Sequence, residues 1–220
     1  MTINWMKHYL ENRVQIVKVG NSFSNPENVL SGVPQGTVFG PLLFIPFTNE
    51  IPLVIKSSNI SVYADDTKIY KEIKSIDDCI ALDSDVKSVN EWALNWQLKI
   101  NPLKSSLLHI PSKSFDYNYS IDDNFLLTSD VVRDLGLMVQ SNLKFNVHCA
   151  KIANRAFAVS RNIHHCFRGH EFNFYVKLFK TYVRPIVESN IVAFSPITLE
   201  SIDLLERVQK RFTKFLPGAQ

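Results

Sequence analysis

Residues 31–40 hold three of the chain's seven glycines, Gly32, Gly36 and Gly40, with Pro34 among them and Pro41 one step beyond. A run this dense in Gly and Pro sustains neither helix nor strand, because Gly loses the most backbone entropy and Pro supplies no N–H. Ser31-Gly-Val-Pro-Gln-Gly36 therefore predicts a shaped loop. From Thr37 the sequence turns mostly apolar and predicts a helix, with Pro41 in the first turn, where a missing N–H costs little, and Pro46 kinking it. Over the whole chain glycine is scarce, about 3% against an average of ~7%, which excludes collagen-like, linker-like and Gly-rich low-complexity classes. With 220 residues, 45% of them hydrophobic, there is room for one large or two small domains with a real core.

Around the loop the apolar periods predict both element types. A helix ends near Leu10, alternation over residues 13–19 and 24–30 predicts two strands about a Gly20-Asn21-Ser22 turn, and residues 59–64 and 67–70 predict a tight hairpin tipped by Asp65 and Asp66. Cys79, Leu82, Val86, Val89, Ala93 and Trp96 recur at steps of three and four, the buried face of a long amphipathic helix. Residues 98–110 carry an Asn101-Pro102 turn and an apolar segment at Leu107-Leu108. A hairpin divided by Asp122-Asp-Asn124 and a strand over residues 131–139 follow. Three helices are expected beyond Asn142, over residues 147–166, 171–187 and 201–215.

Three cysteines, an odd number without CxxC spacing, form no disulfide framework and point to a reducing, nuclear or cytoplasmic location. The N-terminal residues lack a signal-peptide pattern, and the longest apolar run, residues 38–47, falls far short of the ~18 residues of a membrane span, so no membrane partner is expected. The net charge of +3 divides unevenly: residues 1–140 carry 12 basic and 16 acidic side chains, residues 141–220 carry 12 and 5. A basic half beside an acidic half suggests a polyanion held near a site that attracts cations. His148, Cys149, His164, His165, Cys166 and His170 match no common zinc spacing, and core packing explains those on the predicted helix.

Adjacent carboxylates at a hairpin tip repel, and a hard cation relieves that repulsion. Mg2+ takes oxygen ligands, keeps several waters and is typically held by one or two carboxylates plus substrate phosphates, so the Tyr63-Ala-Asp-Asp66 turn suits metal-assisted phosphoryl transfer. A bare Asp-Asp pair is more often a solvated turn.

The order of motifs resembles the reverse transcriptases of non-LTR (LINE-type) retrotransposons, especially the jockey-like group, over nearly the whole chain. Ser31-Gly-Val-Pro-Gln-Gly-Thr-Val-Phe-Gly-Pro-Leu-Leu-Phe44 is similar to the family's template and nucleotide-binding loop and helix. Tyr63-Ala-Asp-Asp-Thr-Lys68 resembles its catalytic turn, Leu98-Lys-Ile-Asn-Pro-Leu-Lys104 the motif ending in lysine, and Asp134-Leu-Gly136 the segment gripping the primer end. Tyr182-Val-Arg-Pro-Ile186 and Leu204-Leu-Glu-Arg-Val-Gln-Lys-Arg211 resemble the region downstream of the polymerase core.

The resemblance implies an α+β fold: a partial palm of antiparallel strands and helices over residues 1–140, then a helical thumb-like region over residues 141–220. It implies Asp65 and Asp66 as catalytic residues at two Mg2+ (or Mn2+) ions, Asp65 as the metal ligand and Asp66 in a supporting role. Gly32, Pro34, Gln35, Gly36 and Tyr63 would bind substrate, and Leu135 and Gly136 would form the primer grip. Lys104 either assists the leaving pyrophosphate or is a surface lysine after a turn. RNA template, DNA primer and deoxynucleoside triphosphates are the implied partners. Family polymerases need a further metal-binding aspartate on a strand preceding the segment similar to residues 5–19. The favoured expectation is therefore a C-terminal fragment of an RNA-directed DNA polymerase, inactive alone. A non-catalytic nucleic-acid-binding protein and an active minimal polymerase are the alternatives. Marginal stability is expected too, with Val14, Ile16 and Phe39 short of cover.

Overall fold

The structure, a computed structural model, describes residues 2–110, 115–169 and 171–216. Helices and strands are both present, an α+β composition, and the chain divides into two units, Met1–Ile100 and Asn101–Gln220.

In the first unit α1 (Thr2–Leu10) leads into a ribbon of β1 (Val14–Gln15), β2 (Lys18–Val19), β3 (Ser22–Phe23) and β4 (Glu27–Asn28). β2 pairs with β3 and β1 with β4, all antiparallel, but the register slips between the two ladders: Lys18 faces Phe23 whereas Gln15 faces Glu27. Asn25 and Pro26 thus both oppose Ile16, a bulge that suits a residue with no N–H to offer. The two continuous strands expected from alternation are therefore each interrupted.

The loop then feeds α2 (Phe39–Thr48), a 3-10 turn at Ile51–Val54, the hairpin of β5 (Asn59–Tyr63) and β6 (Asp66–Tyr70), and α3 (Ile76–Asn95). α2 continues through Pro46, which cannot donate to the Leu42 carbonyl. α3 opens on a capping box in which Ser75 and Asp78 exchange side-chain and backbone hydrogen bonds. Its buried face holds Cys79, Leu82, Val89 and Ala93 as the periodicity predicts, and Trp92 joins them. Trp96 does not: it lies past the helix end, 47% exposed, where Gln97 at φ 59° turns the chain away. The core here is small, Ile51, Val89, Trp92 and Ala93, with Phe47, Ile60 and Ile69 packed against it. Val14 and Ile16 are more than half exposed, but Phe39 is covered edge-on by Trp5 and Tyr9.

The second unit begins with a 3-10 turn at Pro102–Lys104 and the short strands β7 (Ser106–Leu107), β8 (Ser120–Ile121), β9 (Asn124–Phe125) and β10 (Leu127–Thr128). A hairpin stands where one is expected, β8 with β9, but it turns on Asp122-Asp123 with Asn124 already in the ladder, and residues 127–128, expected in its second strand, form β10, which pairs with β7 in parallel. The single strand expected over residues 131–139 is instead a hairpin, β11 (Val131–Asp134) and β12 (Leu137–Gln140). Its two-residue turn has Leu135 at φ 44° and Gly136 at φ 93°, the positive pair that a type I′ turn requires.

The helices are α4 (Asn146–Cys166), α5 (Phe172–Leu178), a π turn at Phe179–Val183, α6 (Arg184–Glu188), α7 (Ile191–Phe194) and α8 (Leu199–Lys214). The helix expected over residues 171–187 thus widens before Pro185, whose ring would collide with the Thr181 carbonyl in a regular α-helix. The core is larger here: Cys149, Ala153, Ala156, Val183, Phe194, Val208 and Phe212 are all 2% exposed or less. Among the described residues every ladder is two strands wide, and no helix is long and apolar enough to cross a membrane. All three cysteines are free; Cys79 is buried, as its place on the helical face predicts.

Candidate functional site

The carboxylate hairpin is built from its base. Asp85, 2% exposed on α3, accepts hydrogen bonds from the backbone N–H groups of Lys56 (2.9 Å), Ser57 (3.0 Å) and Ser58 (2.8 Å), and from the Ser57 hydroxyl (2.7 Å). Burial acts to raise its pKa, but the donors from residues 56–58 outweigh it and hold the carboxyl down at about 2. Residues 56–58 lead directly into β5. On the return side Lys71, just past β6, donates from Nζ to the Ser57 carbonyl (2.9 Å) and pairs with Asp78 (3.8 Å). Hydrogen bonding from Lys74 N, ahead of smaller effects, keeps the Asp78 carboxyl below its ordinary value.

From that base five residue pairs run to the tip, Asn59 with Tyr70 through Tyr63 with Asp66. Ile60 and Ile69 turn one face to the core, so the alternation of the pleat places Ser61, Tyr63, Asp66 and Lys68 on the opposite face. The turn is Ala64-Asp65, not Asp65-Asp66 as the sequence suggests: Asp66 already belongs to the ladder. Ala64 takes the left-handed conformation (φ 53°) that closing a two-residue hairpin demands. Tyr63, Asp65 and Asp66 are all exposed.

The Gly/Pro loop is held by residues that the motif does not contain. The Arg13 guanidinium donates to the Ser31 and Gly32 carbonyls and, through Nε, to the Leu10 carbonyl (2.9 Å), linking α1 to the loop. Thr37 donates from its hydroxyl to the Pro34 carbonyl (2.9 Å) while its oxygen accepts from Gly40 N (3.2 Å) and from the Tyr9 hydroxyl (2.7 Å). Gly32 and Gly36 both sit at φ 78° in open space, so conformation rather than crowding requires glycine there. Gly40 differs: a Cβ would lie 3.2 Å from the Pro34 carbonyl. Gln35 is exposed and Pro34 half-buried.

Of the expected site residues, the structure joins Tyr63, Asp65 and Asp66 on one hairpin tip, and Gly32, Pro34, Gln35 and Gly36 on one loop, all in the first unit. Lys104, exposed at the end of a 3-10 turn that Asn101 caps through Leu103 N (3.0 Å), belongs to the second unit, as does the Leu135-Gly136 turn. Two carboxylates are hard oxygen donors that fit Mg2+, yet among the described residues no group of three or more His, Cys, Asp or Glu side chains could hold an ion. His148 and His164 pack against aromatic rings, Phe194 for the first (4.7 Å) and Tyr175 and Phe212 for the second (5.4 and 4.6 Å). His170 lies outside the described residues.

Sequence reasoning missed Arg13, Thr37 and Asp85. Asp85 alone left a signal, a carboxylate three residues after Leu82 and four before Val89, on the face read as buried.

A profile of the reverse transcriptase (RNA-dependent DNA polymerase) family matches residues 1–148. Among curated Drosophila melanogaster proteins, the probable RNA-directed DNA polymerase from transposon BS is 33% identical over 46% of this chain and 12% of its own length. The probable RNA-directed DNA polymerase from transposon X-element is 28% identical over 68% of this chain, and the RNA-directed DNA polymerase from mobile element jockey 27% identical over 67%, each match covering 17% of the relative. The chain therefore spans less than a fifth of the length of these relatives. No solved structure gives a significant match.

Proposed function

Because the chain belongs to the reverse transcriptase (RNA-dependent DNA polymerase) family, we propose that it carries part of the nucleotidyl-transfer site of an RNA-directed DNA polymerase of the non-LTR retrotransposon type. The observation that carries this reading is the hairpin tip, where Asp65 and Asp66 stand exposed above a base pinned by Asp85 and Lys71. Fixing the base fixes where the carboxylates stand, which matters because phosphoryl transfer depends almost wholly on positioning and electrostatics. Asp65 and Asp66 would hold the metal; two Mg2+ ions at such a site neutralise charge developing on the attacking and leaving oxygens. Tyr63, one ladder pair behind the turn, would lie under the incoming nucleotide. The Gly32–Gly36 loop would offer backbone, and Gln35 a donor and an acceptor, to the nucleotide or template. Lys104 would neutralise the leaving pyrophosphate, and the Leu135-Gly136 turn would hold the primer end. In this reading residues 1–140 are palm and residues 141–220 a thumb-like helical region that contacts phosphates of an RNA template and DNA primer.

Two carboxylates from one hairpin tip do not complete a two-metal site, so the chain alone is expected to be inactive until another segment or molecule supplies a further carboxylate. Primer extension on an RNA template with Mg2+ or Mn2+ tests this. No extension is expected from the folded chain alone. Extension should appear when a family segment bearing the missing aspartate strand is joined or added, and Asp65→Ala should abolish it. Extension that survives Asp65→Ala would overturn the assignment of the tip, and extension by the chain alone would overturn its incompleteness.

The excess of basic side chains beyond residue 140 favours a second reading, non-catalytic binding of nucleic acid. It requires salt-dependent RNA binding that persists in the Asp65→Ala/Asp66→Ala double variant, with no extension under any complementation.

A further inference from the structure

The second unit contains a cleft of about 260 Å³ between the C-terminal part of α4 and the end of α8. On the α4 side Arg161, His165 and Arg168 line it with Phe157; α8 adds Arg211, and Phe215 follows just after it. The spacing of four residues puts His165 on the same side of α4 as Arg161, and Arg168, two residues past the helix end at Cys166, adds a third cation to the lining. No carboxylate is among the described residues that line the cleft. Three guanidinium groups concentrated without a counter-charge repel one another, and an anion is the group that relieves this.

The rest of the lining is aromatic. Arg211 stands over the Phe157 ring (5.6 Å to its centroid), Phe215 is 62% exposed at the rim, and the floor is His164 packed on Phe212. A simple anion needs no rings, and an extended duplex presents phosphates but no free base face. Guanidinium groups beside an exposed aromatic ring match one unpaired nucleotide, its phosphate on the arginines and its base on the ring.

We propose that the α4–α8 cleft is a subsite for one unpaired nucleotide of single-stranded nucleic acid, with Arg161, Arg168 and Arg211 on the phosphates and Phe215 stacked on the base. It rests on the reading of the chain as a polymerase-family protein that handles nucleic acid, but on none of the residues of the hairpin tip.

The test is fluorescence anisotropy of the full chain with a short single-stranded RNA at low salt, against a duplex of the same sequence. The Arg161→Ala/Arg168→Ala/Arg211→Ala variant is expected to lose about tenfold or more in affinity for the single strand. Removing the same charge outside the cleft, with Lys144→Ala/Lys177→Ala/Lys180→Ala, should cost about threefold or less. Phe215→Leu, which keeps an apolar side chain at an exposed position, should weaken single-strand binding by about fivefold and duplex binding hardly at all. Equal losses from the two triple variants would overturn the subsite in favour of diffuse charge. Displacement of the RNA by inorganic phosphate or by polyglutamate at matched anion concentration would overturn it in favour of a bare anion site or an acidic protein partner. No binding by the unaltered chain would overturn it as well. The Asp65→Ala/Asp66→Ala variant should bind as the unaltered chain does. If the complemented chain extends primers while the cleft variant binds normally, the subsite falls and the polymerase reading stands. Cleft-dependent binding with no extension under any complementation leaves the subsite standing and removes the polymerase reading.

Discussion

The two units reach order by different means. In the first, the core is a few residues wide and the decisive contacts are polar and reach irregular backbone: Asp85 on residues 56–58, Arg13 on the Ser31 and Gly32 carbonyls, Thr37 between Pro34 and Gly40. In the second, helices α4 and α8 close on apolar side chains and the polar contacts are secondary. The first unit presents loops and turns, and a buried carboxylate with several backbone donors fixes a loop where an apolar side chain cannot. The helical unit presents surfaces, for which close packing suffices.

That contrast can be broken first at Phe212. Phe212→Ala should cost about 3–5 kcal/mol, the range for emptying a fully buried aromatic site. Hydrogen exchange should report the loss in α4 and α8, and an equal loss in residues 56–70 would break the comparison. Next in size, Asp85→Ala should cost about 2–3 kcal/mol, because it strands three backbone N–H groups. Here exchange should quicken in residues 56–63, and urea unfolding followed by tryptophan fluorescence should move to lower midpoint. Trp5, Trp92 and Trp96, the chain's three tryptophans, all belong to the first unit, so their emission reports that unit.

Acid separates the units without mutation. His148 and His164 both have pKa values lowered, chiefly by burial, from an ordinary 6.5. A group whose folded pKa is depressed contributes stability that is full above its unfolded pKa and lost as pH falls through the folded one. The helical unit should therefore weaken as pH drops below about 6.5. The Asp85 contribution is held until pH falls below the ordinary 3.8 and disappears toward about 2. Exchange in α4 should rise at mildly acid pH while exchange in residues 56–63 holds; simultaneous loss would refute the assignment. The smallest effect expected is a gain. Leu135 holds a left-handed conformation beside Gly136, and Leu135→Asn creates the pair that such turns prefer, worth about 0.5–1 kcal/mol in a thermal melt.

Periodicity made the regular parts legible. Apolar residues at helical spacing located α3, because burial of one face is what produces the pattern, and helix start and stop signals beyond Asn142 placed α4 and α8 nearly to their ends. The misplaced features are governed by single residues: the bulge at Asn25-Pro26, the turn at Leu135-Gly136 inside an apolar run, the π turn ahead of Pro185, and the shift of the hairpin turn by one position to Ala64-Asp65. Residues 131–139 carry one mark of reversal, Gly136, and the leucine beside it hides the turn because leucine seldom takes the positive φ that a two-residue hairpin needs. Within the site, the motif residues could be read from the sequence because they are contiguous. Arg13 could not, and Asp85 showed only as a carboxylate on a buried helical face with no sign of its partners, since the two act on segments 18 and 27 or more residues away.

The two-strand width of every ladder among the described residues has a consequence for handling the molecule. A two-stranded ladder leaves each of its strands with one edge outside the ladder, the kind of edge to which a further extended chain can add. An edge that would admit a further strand also admits a second copy of the same hairpin. Association of the isolated chain should thus rise with protein concentration and fall when a strand-forming segment is supplied in trans, so colloidal behaviour becomes a readout of whether the sheet has found its neighbour.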